Sequence, residues 1–181
     1  DLLNFYIKKY QCNSLLVEPI KENFNRLIVN YKDLDFIIFE NSAISVNNDI
    51  QKLYKVSSKY IKNYDKHIPG ITSFDKKHLI KHGVKNRHII SENVSSIKIA
   101  DLIIKHNFNS PDLLFIDAEG YDGKIAIDFL LSTSFRPIII LEYIHIKNYT
   151  FKDLITILEK ENYLLFSVDE NLFCYPAKDK N

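Results

Sequence analysis

The chain has 181 residues, 46% of them hydrophobic, and balances 24 Lys+Arg against 23 Asp+Glu for a formal charge of +1. That size and apolar content exclude a disordered chain and suit a single folded domain. The near-neutral balance, with thinly spread lysine instead of clustered arginine, excludes the electrostatic footprint of a nucleic-acid or anionic-membrane binder.

In chain order, Leu2, Leu3, Tyr6 and Ile7 share one helical face, so the pattern predicts a helix over Leu2 to Tyr10. Ser14 to Val17 is a short apolar strand ending in Glu18-Pro19, and Pro19 opens a second helix to about Val29. DFIIF (Asp35 to Phe39) has the composition of a buried strand, Ala43 to Ser45 continues extended, and Ile50 to Val56 adds an edge strand. Beyond it the pattern weakens. SFDKKHLIKHG is a short helix with Ser73 as its cap and Gly83 as its end, and residues 57–96 form an insertion or cap on the substrate side. His88 to Asn93 is a strand, and Ser96 caps a helix running to His106.

The signal then sharpens. DLLFI (Asp112 to Ile116) is a continuous apolar strand, Asp122 to Leu131 a helix, and IIIL (Ile138 to Leu141) another buried strand. Thr150 caps a helix to Asn162, and Tyr163 to Val168 with Leu172 to Tyr175 flank Asp169-Glu170-Asn171 as an antiparallel hairpin at the sheet edge. Buried strands alternating with helices make an α/β fold with a mostly parallel sheet, whose ligands bind beyond the carboxyl ends of the strands.

Three strand tips therefore carry the chemistry. Glu18 follows LLV, where a carboxylate can accept hydrogen bonds from two ribose hydroxyls. Such an acid sits about 20 residues beyond a glycine-rich turn, which places that turn and its strand before Asp1 in this reading. Standing against it is a plain strand-end acid favoured by the next helix's dipole. In IDAEGYD, alternation turns Asp117 and Glu119 toward one cleft, Gly120 allows a sharp turn and Asp122 caps the following helix. Two carboxylates around one pocket need a positive partner, such as a sulfonium or a divalent metal. In IIILEYIHI, Glu142 and His145 lie just past the next strand, where a histidine has the pKa to take a proton near neutrality.

His78 and His82 are spaced i, i+4, a geometry that binds metal, but no acid follows His78 as in H-E-x-x-H. They are read as a solvated helix face, and no metal is expected. Cys12 and Cys174 are isolated cysteines without C-x-x-C spacing, which excludes a disulfide framework and fits a reducing, cytoplasmic compartment. No apolar run approaches membrane-spanning length, and the first residues do not resemble a signal peptide.

LLVEPIKENFNRLIVN, ENSAIS, PDLLFIDAEGYD, RPIIILEYIH and ENLFCY together resemble the FkbM-type methyltransferases of the class I S-adenosylmethionine-dependent fold. The resemblance implies a Rossmann-like, seven-stranded sheet with an antiparallel last strand, and S-adenosylmethionine as cofactor. It implies that Glu18, with Pro19, holds the donor's ribose. Ser42 and Ala43 would lie near the adenine, Asp117 and Glu119 near its methionine part, and His145, Asp117 and Glu142 at the reaction centre. The expected reaction is O-methylation of a hydroxyl on a sugar, glycan or polyketide-like small molecule, with His145 as first and Asp117 as second choice of base. A nicotinamide-dependent oxidoreductase could use the same ribose acid, although the IDAEG tip does not suit it. A metal-dependent transferase holding magnesium on Asp117, Glu119 and Glu142 also fits these residues, as does a non-catalytic nucleotide-binding module.

Overall fold

The computed structural model describes residues 2–177, and the chain is a mixed α/β protein. It divides into two compact units: Asp1–Gln51 with Val94–Phe108, and Lys52–Asn93 with Asn109–Asn181.

In the first unit, α1 (Leu2–Tyr10), β1 (Ser14–Val17), α2 (Lys21–Tyr31), β2 (Ile37–Glu40) and β3 (Ala43–Ile44) follow the predicted order, and α4 spans Ile99–Lys105. β1 and β2 pair in parallel, Ser14 opposite Ile37 and Val17 opposite Glu40. Ile7 of α1, Tyr31 of α2 and Ile37 of β2 form a buried cluster with Leu3, Leu16, Leu27, Leu34, Phe36 and Phe39 around it. The register matters for function, because it ends both strands together and leaves Glu18 and Asn41 side by side at the tips.

One cap expected in this unit falls elsewhere. Ser96 is not a helix cap: it is buried inside β6 (Ile89–Ile97), opposite Ala43, with its hydroxyl 2.9 Å from the Asn47 and Asp49 carbonyls. Lys98 stands at the N-cap of α4 without a side-chain bond. A hydroxyl that finds buried partners across a loop gains more than it would capping an exposed helix end, so tertiary context overrode the local signal.

β4 (Ile50–Val56), most of it in the second unit, pairs antiparallel with β5 (Thr72–Ser73), which leads into α3 (Lys76–Lys81); β5, and not β4 as expected, is the edge strand. Ser73 is a strand residue; Asp75 caps α3, accepting the Lys77 N–H at 2.9 Å, while the Ser73 hydroxyl accepts the Asp75 N–H. Gly83, at φ +83°, closes the helix as expected. Val56, Ile68, Ile71, Leu79 and Val84 give this segment a core of its own. The tyrosines of the segment are structural. Tyr60 stacks on buried His88 at 3.9 Å, and the Tyr64 hydroxyl meets His88 Nδ1 at 2.6 Å.

The remaining elements are β7 (Leu113–Ile116), α5 (Asp122–Ser132), β8 (Ile138–Glu142), α6 (Asn148–Lys160), β9 (Tyr163–Val168) and β10 (Asn171–Pro176). Four of them make a sheet in the order β7-β8-β10-β9. β7 and β8 are parallel, and β10 runs antiparallel to both neighbours. The last strand is therefore antiparallel as expected, but it lies inside the sheet, and β9 takes the edge. Over the described residues the pairings are mixed instead of mostly parallel.

Ile139 and Leu141 of β8 and Cys174 of β10 are fully buried, as are Phe129 and Leu130 of α5 and Leu154 and Leu158 of α6. Leu113 and Phe115 of β7 and Leu164, Phe166 and Val168 of β9 are exposed, so neither strand is buried throughout. Thr150 is buried in the first turn of α6, whose N-cap is Lys147. No described helix is long and apolar enough to cross a membrane.

Candidate functional site

The IDAEG turn is built around one buried carboxylate. Asp122, the first residue of α5, is fully inaccessible; its Oδ1 accepts the Ala118 N–H at 3.1 Å and its Oδ2 accepts the Gly120 N–H at 3.0 Å. It is not the N-cap of α5, a position held by Tyr121. Instead it clamps the turn that precedes the helix.

The clamp holds two successive left-handed residues, Glu119 at φ +50° and Gly120 at φ +87°. Gly120 is required twice over, since a Cβ there would sit 2.9 Å from the His145 carbonyl oxygen. Glu119 holds a conformation that costs a side-chain-bearing residue roughly 1–3 kcal/mol. The turn, not strand alternation, aims its carboxylate: Oε2 lies 3.2 Å from Nε2 of His78 on α3.

The next tip stands against this turn. Glu142 ends β8, and His145 follows in a turn closed by the Ile146 N–H on the Tyr143 carbonyl. His145 Nε2 is 3.9 Å from Glu142 Oε1, an ion-pair distance beyond hydrogen bonding. Three imidazoles meet there. Ring centroids are 4.6 Å apart for His78 and His82, 5.0 Å for His78 and His145, and 4.8 Å for His82 and His145. The reading of His78 and His82 as a solvated face is thus overturned, since the His78 side chain is only 12% exposed.

The first unit carries its own set. Glu18 is half-buried at the end of β1, and its Oε1 accepts the Ile20 N–H at 2.7 Å where α2 begins. The Asn41 side-chain amide donates to the Glu18 and Pro19 carbonyls at 2.8 and 3.1 Å, locking the two tips together. Ser42 and Ala43 are buried just beyond Asn41. Glu40, which no sequence motif singles out, is buried with Lys105 Nζ and His106 Nε2 each 2.7 Å from its Oε2. Burial alone would raise the pKa of Glu40, but those two partners outweigh it and hold the carboxyl below its ordinary range.

Residues 2–165 match the family model described as the methyltransferase FkbM domain. The chain belongs to the FkbM methyltransferase family. No curated protein and no solved structure matches it. Family membership suggests a methyltransferase, and Glu18, Pro19, Ser42, Ala43, Asp117, Glu119, Glu142 and His145 all fall inside the matched span.

Electrostatically, the second unit of the FkbM domain carries an excess of crowded carboxylates. Glu142 is pushed up to about 7, by burial first and then by the charges of Glu119, Asp117, Asp122 and Glu170. Asp117 keeps an open side, yet surrounding protein raises its pKa, and Glu119 adds to the shift. The opposite holds for His82, where burial and the neighbouring His78 and His145 favour the neutral ring. The arrangement can accept a proton near neutrality, and a positive charge among its acids would relieve their repulsion.

The histidines of α3 escape a reading by motif because their partners lie far along the chain, Glu119 being 41 residues beyond His78. The i, i+4 spacing is the one signal that could have found them. The role of Asp122 has none, since an acid at a helix start reads as a cap in sequence.

Proposed function

We propose that this FkbM domain is an S-adenosylmethionine-dependent O-methyltransferase acting on a hydroxyl of a sugar, glycan or polyketide-like small molecule. The observation that supports this reading most is His145, packed against the clamped turn and flanked by Glu142 and Glu119. An acidic cluster with raised pKa values is also the environment that a sulfonium donor suits, because a cation among the acids lowers their repulsion. When bound, S-adenosylmethionine supplies a methyl group on a positively charged sulfur.

The residues of the chain then have two tasks. The His145–Glu142 pair takes the proton of the acceptor hydroxyl, with the carboxylate stabilising the imidazolium, and Asp117 is the second candidate for this role. The clamped turn holds these groups still, which serves a displacement whose main demand is alignment. Glu18 is the ribose acid of the reading, with Ser42 and Ala43 near the adenine. The Ile20 N–H donates to one oxygen of its carboxylate, which fixes the side chain at the strand tip. The wider reading is one methyltransferase domain with a class I sheet, its 57–96 segment on the acceptor side, working in the cytoplasm on a small acceptor.

Thermal-shift measurements with S-adenosylhomocysteine and with NAD test the cofactor. The first should raise the melting temperature and the second should not; the reverse result would replace methyl transfer with oxidoreduction. His145→Ala should lower turnover while calorimetry shows donor affinity nearly intact, and unchanged turnover would remove His145 as base. Glu18→Ala should weaken S-adenosylhomocysteine binding, and equal affinity would remove Glu18 from the donor site. If donor binds but no acceptor in a broad hydroxyl panel is methylated, the binding-module reading is correct.

A further inference from the structure

We infer that His78, His82 and His145 form a binding site for a divalent transition-metal ion, of which Zn2+ is the simplest probe, with a coordination position left open for an acceptor oxygen. One ligand nitrogen from each of the three rings lies within 4.8 Å of the others. An ion about 2.0–2.1 Å from each nitrogen needs them somewhat closer than this upper limit, a closure that small ring rotations supply.

Several features distinguish this cluster from three histidines packed for shape. Their side chains are partly buried, so the rings are withdrawn from bulk water while keeping an approach. Two of them come from consecutive turns around α3, whose i, i+4 geometry is fixed by the Asp75 cap at one end and Gly83 at the other. The third comes from the turn whose backbone packs on Gly120. Glu119, 3.2 Å from His78 Nε2, is placed to accept that ring's N–H and turn its other nitrogen inward, as carboxylates behind metal-bound histidines do. Imidazole ligands select zinc and its first-row neighbours over magnesium, and three of them with an open fourth position make the ligand set of catalytic zinc. The magnesium reading on Asp117, Glu119 and Glu142 is different in ligands and in metal.

The role of the ion rests on the methyl-transfer reading. An acceptor hydroxyl on the open position becomes more acidic; its O–H bond breaks, the electron pair stays on oxygen and the proton passes to a carboxylate. Glu142, whose Oε1 is 3.9 Å from His145 Nε2, is the carboxylate at hand. With the ion present His145 is a ligand, and Glu142 alone accepts the proton.

The test uses the full chain with Cys12→Ser, so that the exposed thiol offers no ligand. After chelator treatment, Zn2+ is titrated calorimetrically against a competing chelator, and the melting temperature is followed in parallel. One Zn2+ per chain with a raised melting temperature is expected. Glu119→Gln should weaken it about 10–100-fold, the range for carboxylates behind a ligating histidine. His78→Ala/His82→Ala should abolish it, whereas His106→Gln, at the Glu40 pair and outside the cluster, should leave it unchanged. Absence of binding, or binding indifferent to the double substitution, overturns the site. Since S-adenosylhomocysteine binding is measured separately, loss of the metal with donor binding retained removes only this inference. Zn2+ bound without any donor binding leaves the site standing and removes the methyltransferase reading.

Discussion

Gly120→Ala should destabilise the protein by more than its backbone angle alone explains, and Gly83→Ala supplies the internal standard. Both glycines are left-handed, at φ +87° and +83°. A Cβ at Gly83 meets nothing within 4 Å, so that substitution carries only the left-handed penalty, roughly 1–2 kcal/mol. A Cβ at Gly120 would lie 2.9 Å from the His145 carbonyl oxygen and 3.4 Å from its Cβ. The obstacle is backbone and cannot rotate away, which adds about 1–3 kcal/mol for forced overpacking. Gly120→Ala should therefore cost about 2–5 kcal/mol in total. Urea unfolding of the wild type and both variants, followed by circular dichroism, reads the difference as a shift of midpoint at constant slope. Equal losses for the two variants would mean that the turn does not press on His145, and the account of how the tip is held would fail. If the account is right, Gly120→Ala also lowers methyl transfer by moving His145, whereas Gly83→Ala, at the end of α3, acts on stability without that contact.

Glu40 makes stability pH-dependent in a defined direction. Its pKa is lower folded than unfolded, so its contribution is fully present above the ordinary value near 4.5 and is lost as pH falls through the folded value. Glu40→Gln, which keeps the shape but not the charge, should cost roughly 1–2 kcal/mol at neutral pH, a figure discounted because Lys105 is half-exposed. Once the pH is below the folded value the variant and the wild type should melt alike; a gap of constant size as the pH falls from neutrality would show that the charge of Glu40 is not what its partners hold. Cysteine accessibility gives a third expectation. Cys174 is fully buried with its thiol pushed up to about 12, whereas Cys12 is exposed. A thiol reagent should titrate one cysteine in the native protein and two in denaturant, and rapid native labelling of both would contradict the packing of β10 against its neighbours.

Much of the fold is legible along the chain. β1 falls where its apolar run and the bounding turn residues place it, because a strand of that kind is encoded by its own few residues; β4 has the expected bounds but is not the edge strand expected. The tips are legible for the same reason: Glu18, Asp117, Glu142 and His145 each follow closely on an apolar strand. Caps are the weak point. Ser73, Ser96, Asp122 and Thr150 all have the chemistry of local caps, yet each is buried and none is the N-cap of its helix. A polar group inside the protein takes whichever partner relieves its desolvation, as Ser73, Ser96 and Asp122 do.

Sequence by itself determined the alternation of strands and helices, the family and the acids at the strand ends, all properties carried by short contiguous stretches. Tertiary structure decided the rest. It placed β10 between β8 and β9, turned Asp122 from a cap into a clamp, and gathered His78, His82 and His145 around one point. These depend on where distant segments meet, and meeting is set by burial of the core between them, which periodicity along one segment does not encode.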